Sequence, residues 1–532
     1  MSTEHSERGQ GPWLIMVYLA GDNDLSEEMV LTLQDLMTQA PPAGGRIVAQ
    51  FDPGGVGLTS QRYAFVERPE GLSLAEKLEA YRDQTFQPSD TNTGDKQSLI
   101  DFVTWAVDTH GQAGTRYLLV LSGHGSGITD DFFLSDSAST DSLTIQELRE
   151  ALDTIVEHIR GRSLDEQKKI DILGLDACFM AMGEVAYELK DDVGILIAAE
   201  GTEPALGWPY RRILARARAF DHATHARDVA TTIVEEYVEH YSDYDRSAGG
   251  SADLAAIDLG RIEPVTAAFK SLTEALVDHT AENGHDAVLL AHWYAQTYKF
   301  DQFVDLADLC YRLQEKCGGS AVPDACGAVI AALEEAVLVA GCTGFAAQHS
   351  HGFSIYFPWA AVSPDYGPER PSFAAATGWH TFVTGHIVST RREPRYLPEM
   401  PQLRPLADAV TARAERIRRK FQGPVGEPLV LTLERQCERV ERADVLEMDR
   451  PRELGRRVRR LREIDSGGDV RYSDHTRYSD QTRYSDHTRF LSGRQWWVKN
   501  LPPAVGKAYW PGKEARSPQP GDSPGYVEVA RS

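Results

Sequence analysis

A chain of 532 residues is longer than one compact hydrophobic core usually accommodates, which points to two or three domains. With 42% apolar and 25% charged residues, the composition is that of a soluble globular protein over most of its length. A formal net charge of -24 and a pI near 5.1 speak against a general nucleic-acid binder, which needs a basic face to neutralise phosphates.

Residues 1–12, "MSTEHSERGQGP", are polar and mixed in charge, unlike a secretory signal, and the expectation is a cytoplasmic protein. The apolar run that follows, "WLIMVYLA", is strand-length and far short of the roughly 20 residues of a membrane span. Over 13–260, apolar runs alternate with amphipathic stretches. The strand candidates are 13–19, 46–51, 62–66, 116–122, 169–175 and 194–199. Several are apolar almost throughout, as strands buried on both faces are. "DLSEEMVLTLQDLM", "DKQSLIDFVTWAVDTH" and "TIQELREALDTIVEHI" carry the helical period between them. This rhythm predicts an α/β fold, a mostly parallel sheet sandwiched by helices.

The region 261–390 reads as mainly helical with one late strand, "GFSIYFP" at 352–358. Beyond it the composition changes. Residues 391–464 form an arginine-rich helical extension, and 465–532 a flexible tail holding the tandem hexapeptide "RYSDHT RYSDQT RYSDHT". Three polar six-residue copies are too few to build a solenoid core. From 391 onward the net charge is roughly +8, leaving about -32 for the rest.

The six cysteines are Cys178, Cys310, Cys317, Cys326, Cys342 and Cys437. None forms a CxxC pair, and no histidine stands at zinc-ligand spacing near the middle three. Free thiols in a reducing compartment are the expectation, with no metal site.

Functional groups in open parallel sheets gather beyond the carboxyl ends of the strands. Two such ends stand out. "LLVLSGHGSG" leads to His124 in a glycine-rich turn, and "ILGLDACFM" leads to Cys178. A lone cysteine after a buried strand is most often core, and a lone histidine in such a turn is often only a turn residue. Here the two are about 50 residues apart with histidine first, the order and spacing of caspase-type cysteine proteases. If the strands are neighbours, a right-handed crossover through the intervening helix puts both groups on one sheet edge. His124 would then promote the thiolate of Cys178, and backbone amides near Gly125 would be free to hold an oxyanion.

"VYLAGDNDL", "LVLSGHGSG", "DILGLDACFMAMGEVAYEL", "EGTEPALGWPY" and "GFSIYFP" occur in this order, and together they resemble the clostripain family of cysteine peptidases, relatives of the caspases, over roughly residues 11 to 385. The resemblance implies a caspase-like fold and a His/Cys dyad of His124 and Cys178. It implies an oxyanion hole from the backbone amides of Gly125 and Cys178. It also implies cleavage after basic residues, arginine before lysine, and frequent self-processing. Asp176, which on sequence alone could equally cap a following helix, matches the aspartate that lines the family's pocket for a basic side chain. Where the family is expected to read "EPGDGW", this chain reads "EPALGW", with Leu206 in place of the second pocket carboxylate; Glu203 or Glu200 stands near enough in sequence to compensate.

Protein substrates follow, with no membrane or nucleic-acid partner. No cofactor is required; some members of the family use calcium, and no EF-hand-like loop appears. "GDND" reads as a strand end, with Asp22 and Asn23 terminating the strand and Asp24 capping a helix near Leu25. "VDLADLC", 304–310, echoes the family but reads as an amphipathic helix without assigned chemistry. Activation by proteolysis has two candidate regions: Arg160, Arg162, Lys168 and Lys169 before the Cys178 strand, and Arg471, Arg477, Arg483 and Arg489 in the tail, cut by the enzyme itself or by an upstream protease. Trp496 and Trp497 would suit a docking anchor. Caspase-like proteases in bacteria suggest, by analogy alone, a cell-killing or defence effector. Two other classes remain: an inactive caspase-fold scaffold, and a metal-dependent hydrolase using Asp22, Asp24, His124 and Asp176.

Overall fold

The computed structural model describes residues 11–391 apart from short internal gaps, and three short strands further on, Arg489–Ser492, Gln495–Lys499 and Tyr526–Val529. The extension 391–464 lies outside the described residues beyond Arg391, as do Arg471, Arg477 and Arg483.

The chain order to the middle of the molecule is β1 (Trp13–Gly21), α1 (Ser26–Thr38), β2 (Arg46–Pro53), β3 (Gln61–Phe65), α2 (Leu74–Tyr81), α3 (Lys96–His110), β4 (Arg116–Ser122), β5 (Phe133–Asp136), β6 (Asp141–Leu143), α4 (Ile145–Arg160), β7 (Ile170–Asp176), α5 (Gly183–Leu189), β8 (Val193–Ala198), α6 (Tyr210–Ala217) and α7 (Ala226–Tyr241). There follow β9 (Ala252–Asp258), β10 (Thr297–Tyr298), β11 (Phe303–Asp305), β12 (Val337–Thr343) and β13 (Ser354–Tyr356), with helices at Ile262–Asn283, Asp286–Tyr294, Leu306–Lys316, Val322–Ala336, Ser372–Thr377 and Trp379–Arg391. The C-terminal strands are β14 (Arg489–Ser492), β15 (Gln495–Lys499) and β16 (Tyr526–Val529).

The main sheet runs β16-β15-β14-β12-β9-β8-β7-β4-β1-β2-β3. Its centre, β2-β1-β4-β7-β8, is parallel; β3, β9, β12 and the C-terminal strands are antiparallel to their neighbours. β1 and β4 are buried along their whole length. The period of two divides β1 between two cores. Leu14, Met16, Tyr18 and Ala20 face the side covered by α3, α4, α5 and the later helices. Trp13, Ile15, Val17 and Leu19 face α1, α6 and α7. A parallel sheet needs helices on both faces, and the uninterrupted apolar strands are the sequence record of that.

The local signals act as expected at two helices. Thr144 and Glu147 form a capping box that starts α4, and the side chain of Asp95 caps α3. Several strands escape the sequence pattern, β9 and β12 of the main sheet among them. β9, "ADLAAID", is rich in alanine and lacks the β-branched signature. β12 continues without a turn from the helix Val322–Ala336, so helix and strand read as one apolar run. The late strand is shorter than expected, Ser354–Tyr356, and belongs to a separate small sheet, β10-β11-β13. Within 465–532, expected to be flexible, β14 pairs antiparallel with β12 through Ala340↔Leu491, Gly341↔Phe490 and Cys342↔Arg489, so Arg489 opens a strand of the main sheet. Trp496 and Trp497 lie on β15, which pairs with β14 and β16.

Candidate active site

β4 and β7 are parallel neighbours with Ser122 opposite Asp176, so the turns carrying His124 and Cys178 leave the same edge of the sheet. The two turns are pressed together. A Cβ added to Gly125 would stand 2.5 Å from the Cys178 carbonyl oxygen and 3.1 Å from its amide nitrogen. Only glycine permits this approach, and it brings the main chain at Gly125 and Cys178 side by side. His124 and Cys178 line one cleft together with Leu25, Met29, Asp176 and Glu203.

Cys178 is half-buried, and its Sγ accepts a hydrogen bond from the Glu203 amide at 3.3 Å. An N–H aimed at sulfur is the kind of donor that favours a thiolate. The next residue, Phe179, has φ +64, the left-handed region that a bulky side chain avoids at a cost of about 1–3 kcal/mol. Two contacts hold it there: its amide donates to Gly201 O at 2.9 Å, and its ring packs edge-on against Phe303. The chain therefore does not enter a helix after Cys178; α5 begins only at Gly183. Asp176 consequently caps nothing. It is 4% exposed and accepts hydrogen bonds from Ser122 Oγ and Tyr210 OH, both at 2.9 Å.

Glu203 stands beside Asp176. Trp208 Nε1 donates to its Oε1 at 3.5 Å, and its buried Oε2 receives no donor among the described residues. Burial is the main force raising both carboxyls, and the neighbouring Asp176 raises Glu203 further, well above the usual carboxylate range. Both shifts favour the protonated form of the carboxyls over the charged one. Gly207, at φ +65, closes over the pair; a Cβ there would lie 2.9 Å from Asp176 Oδ2. Leu206 is 48% exposed at the rim. Of the two glutamates near enough to compensate for it, only Glu203 lines the cleft. Glu200 is fully buried and bonded to the Gly352 amide.

Asp24 does what its sequence position does not announce. Its Oδ1 lies 2.5 Å from His124 Nε2, making it a third member of the constellation. The turn ahead of α1 is held instead by Asn23, whose Oδ1 accepts the Leu25 amide and whose Nδ2 donates to Ala20 O and Ser135 O. Asp22 receives the Ala138 amide on its carboxylate. The proposed metal set Asp22, Asp24, His124 and Asp176 is thus not assembled. Among the described residues the group of three possible metal ligands whose oxygens lie within 4.8 Å of one another is Asp22, Asp52 and Asp136, all buried.

The basic residues before β7 are tied down. Arg160 Nε donates to Lys168 O at 3.0 Å, Lys168 pairs with Asp171 at 2.7 Å, and Lys169 Nζ donates to Lys190 O at 2.7 Å. Arg162, paired with Asp108, is the most open of the four, its side chain 48% exposed.

The family model described as the clostripain family, peptidase C11, matches residues 17–366. The chain belongs to the clostripain family. It is 22% identical over 359 residues to clostripain of Hathewaya histolytica, an alignment covering 57% of this chain and 65% of that protein's length. Two solved structures share the fold: a secreted C11 cysteine protease from Bacteroides thetaiotaomicron in complex with an irreversible peptide inhibitor (TM-score 0.52, 18% identity, 69% of this chain and 99% of that one), and an inactive zymogen C11 protease from Parabacteroides distasonis (TM-score 0.51, 17% identity, 70% and 98%). Within this family the expected mostly parallel, helix-flanked sheet is the one found. Among the described residues no helix is long and apolar enough to cross a membrane.

Proposed function

We propose that the protein is a cysteine endopeptidase that cuts proteins after basic residues, arginine before lysine. The observation that carries this is the edge shared by His124 and Cys178, with Gly125 packed on the Cys178 backbone and an amide aimed at Sγ. In this reading the Cys178 thiolate attacks the scissile carbonyl, and the amides of Gly125 and Cys178 receive the developing oxyanion. His124, steadied by Asp24, passes its proton to the leaving amine. It then takes one from the water that cleaves the thioester. A basic side chain enters beside Asp176 and Glu203, where a buried carboxylate accepts a guanidinium fork better than an ammonium.

The test is peptide cleavage by Cys178→Ala and His124→Ala, with folding checked by circular dichroism. Both variants are expected to be folded and inactive; near-normal turnover by Cys178→Ala overturns the reading, as does a substrate library cut mainly after acidic or apolar residues. The chemistry requires no cofactor. Asp22, Asp52 and Asp136 are the oxygen donors that would take a hard cation such as calcium, and EGTA sensitivity decides whether they do. A latent precursor, cut by itself or by an upstream protease, and a cytoplasmic site of action complete the proposal. Cell fractionation tests the location. Survival of host cells expressing wild type against Cys178→Ala tests a killing or defence role.

A further inference from the structure

The segment "VDLADLC" has so far no role, and it contains Asp305, which is fully buried at the end of β11. Asp305 Oδ1 accepts the Asp308 amide at 2.7 Å, and Oδ2 accepts the His351 amide at 2.5 Å. Its neighbour across the interior is Glu200, equally buried, at the end of the strand after Cys178. Glu200 Oε2 accepts the Gly352 amide at 2.6 Å, while Oε1 receives no donor among the described residues. Glu200 and Asp305 are buried neighbours whose charges act on one another, and two carboxyls so placed favour holding one proton between them. A third buried acid, Asp253 on β9, accepts the main-chain amides of Glu200 at 2.7 Å and Gly201 at 3.0 Å.

These acids hold a short stretch of chain that in turn holds the nucleophile. Ala199 O accepts the Ala181 amide at 2.8 Å, Gly201 O accepts the Phe179 amide at 2.9 Å, and the Glu203 amide donates to Cys178 Sγ at 3.3 Å. Ala199–Glu203 thus touches the Cys178 turn at three points, and its own anchorage is Asp253 beneath and the Glu200–Asp305 pair beside it.

We propose that Glu200, Asp253 and Asp305 form a proton-dependent lock that positions Cys178, and that loss of the shared proton at alkaline pH releases Ala199–Glu203 and with it the left-handed turn at Phe179. Burial favours the neutral form of Glu200 and Asp253, and each is raised further by Asp305. The sign follows. A carboxyl whose folded value is raised stabilises the fold at low pH, and that contribution is lost as pH rises through the folded value. Among the described residues the other titratable groups facing the cluster include His351, whose Nδ1 is 3.1 Å from Asp305, Asp308, which pairs with Arg312 at 3.2 Å, Tyr298, hydrogen-bonded to Ser350, Tyr237 on α7, and the buried Cys310.

The proposal rests on Cys178 as the nucleophile, and its test separates the two. Wild type, Glu200→Gln, Asp253→Asn and Asp253→Ala are compared across pH by kcat and KM for a basic peptide and by the rate of Cys178 alkylation with iodoacetamide. Near-ultraviolet circular dichroism monitors folding. In Glu200→Gln an amide N–H replaces the shared proton and does not titrate. Its alkaline limit for kcat and for alkylation is expected to move up by about one pH unit or more with KM little changed. Asp253→Ala is expected to lower kcat about tenfold or more, with partial recovery in Asp253→Asn. An alkaline limit in Glu200→Gln that coincides with wild type overturns the lock, as does wild-type kcat in Asp253→Ala. If Asp253→Ala does not fold, Glu200→Gln and Asp253→Asn still decide. If wild type cleaves no peptide yet its alkylation shows the Glu200-dependent limit, the peptidase reading fails and the lock stands.

Discussion

Replacing Asp24 with alanine removes the carboxylate that lies 2.5 Å from Nε2 of the His124 ring. A hydrogen bond to a charged partner contributes about 1.5–3 kcal/mol. Asp24 is 81% exposed while His124 is 22% exposed, so solvent screens the pair and the contribution falls to about 1–2 kcal/mol. If the bond matters mainly for aiming the protonated imidazole at the leaving amine, that is about a five- to thirtyfold loss in kcat with KM little changed. Asp24→Asn keeps an acceptor oxygen and loses the charge, so it is expected to fall between wild type and alanine. Steady-state kinetics on an arginyl peptide and the alkylation rate of Cys178 measure the effect. Asp24→Ala and Asp24→Asn both within twofold of wild type would refute the reasoning, because the ring would then be oriented without this bond.

Asp176→Asn should cost about tenfold or more in kcat/KM for arginyl over uncharged peptides, the value of one charge-assisted bidentate contact, and a competition assay reads it directly. Because burial raises both Asp176 and Glu203, the pair is neutral in acid and gains charge as pH rises, so KM for arginyl substrates is expected to fall with rising pH while KM for a citrulline analogue stays flat. Gly125→Ala places a methyl group 2.5 Å from the Cys178 carbonyl and should lower kcat about a hundredfold in a protein that still shows a native circular dichroism spectrum. Of the four basic residues before β7, Arg162→Ala should slow any cleavage in this segment most, since Arg162, though paired with Asp108, is the exposed one while Arg160, Lys168 and Lys169 are half-buried; N-terminal sequencing over time is the measurement.

Much of the scaffold is written locally. β1 and β4 are apolar runs with strand length, and the capping residues Thr144 and Asp95 stand where α4 and α3 begin, because a helix start needs an acceptor for its first amides wherever the rest of the chain goes. The glycines around His124 and the scarcity of cysteine single out His124 and Cys178 as candidates before any fold is known. Local pattern fails where a residue's partner is far away in sequence. Asp24 looks like a helix cap until His124, a hundred residues on, offers its ring, and Asn23 holds the turn. Asp176 looks like a cap until Ser122, Tyr210 and Glu203 enclose it and the strained turn at Phe179 postpones the helix to Gly183. Glu200 and Glu203 are three residues apart and chemically alike, yet one lines the cleft and the other is sealed against Asp305. A side chain's type depends on its own chain, but the charge and contacts of a buried acid depend on which distant groups share its desolvated space, and only the packed sheet and its loops decide that.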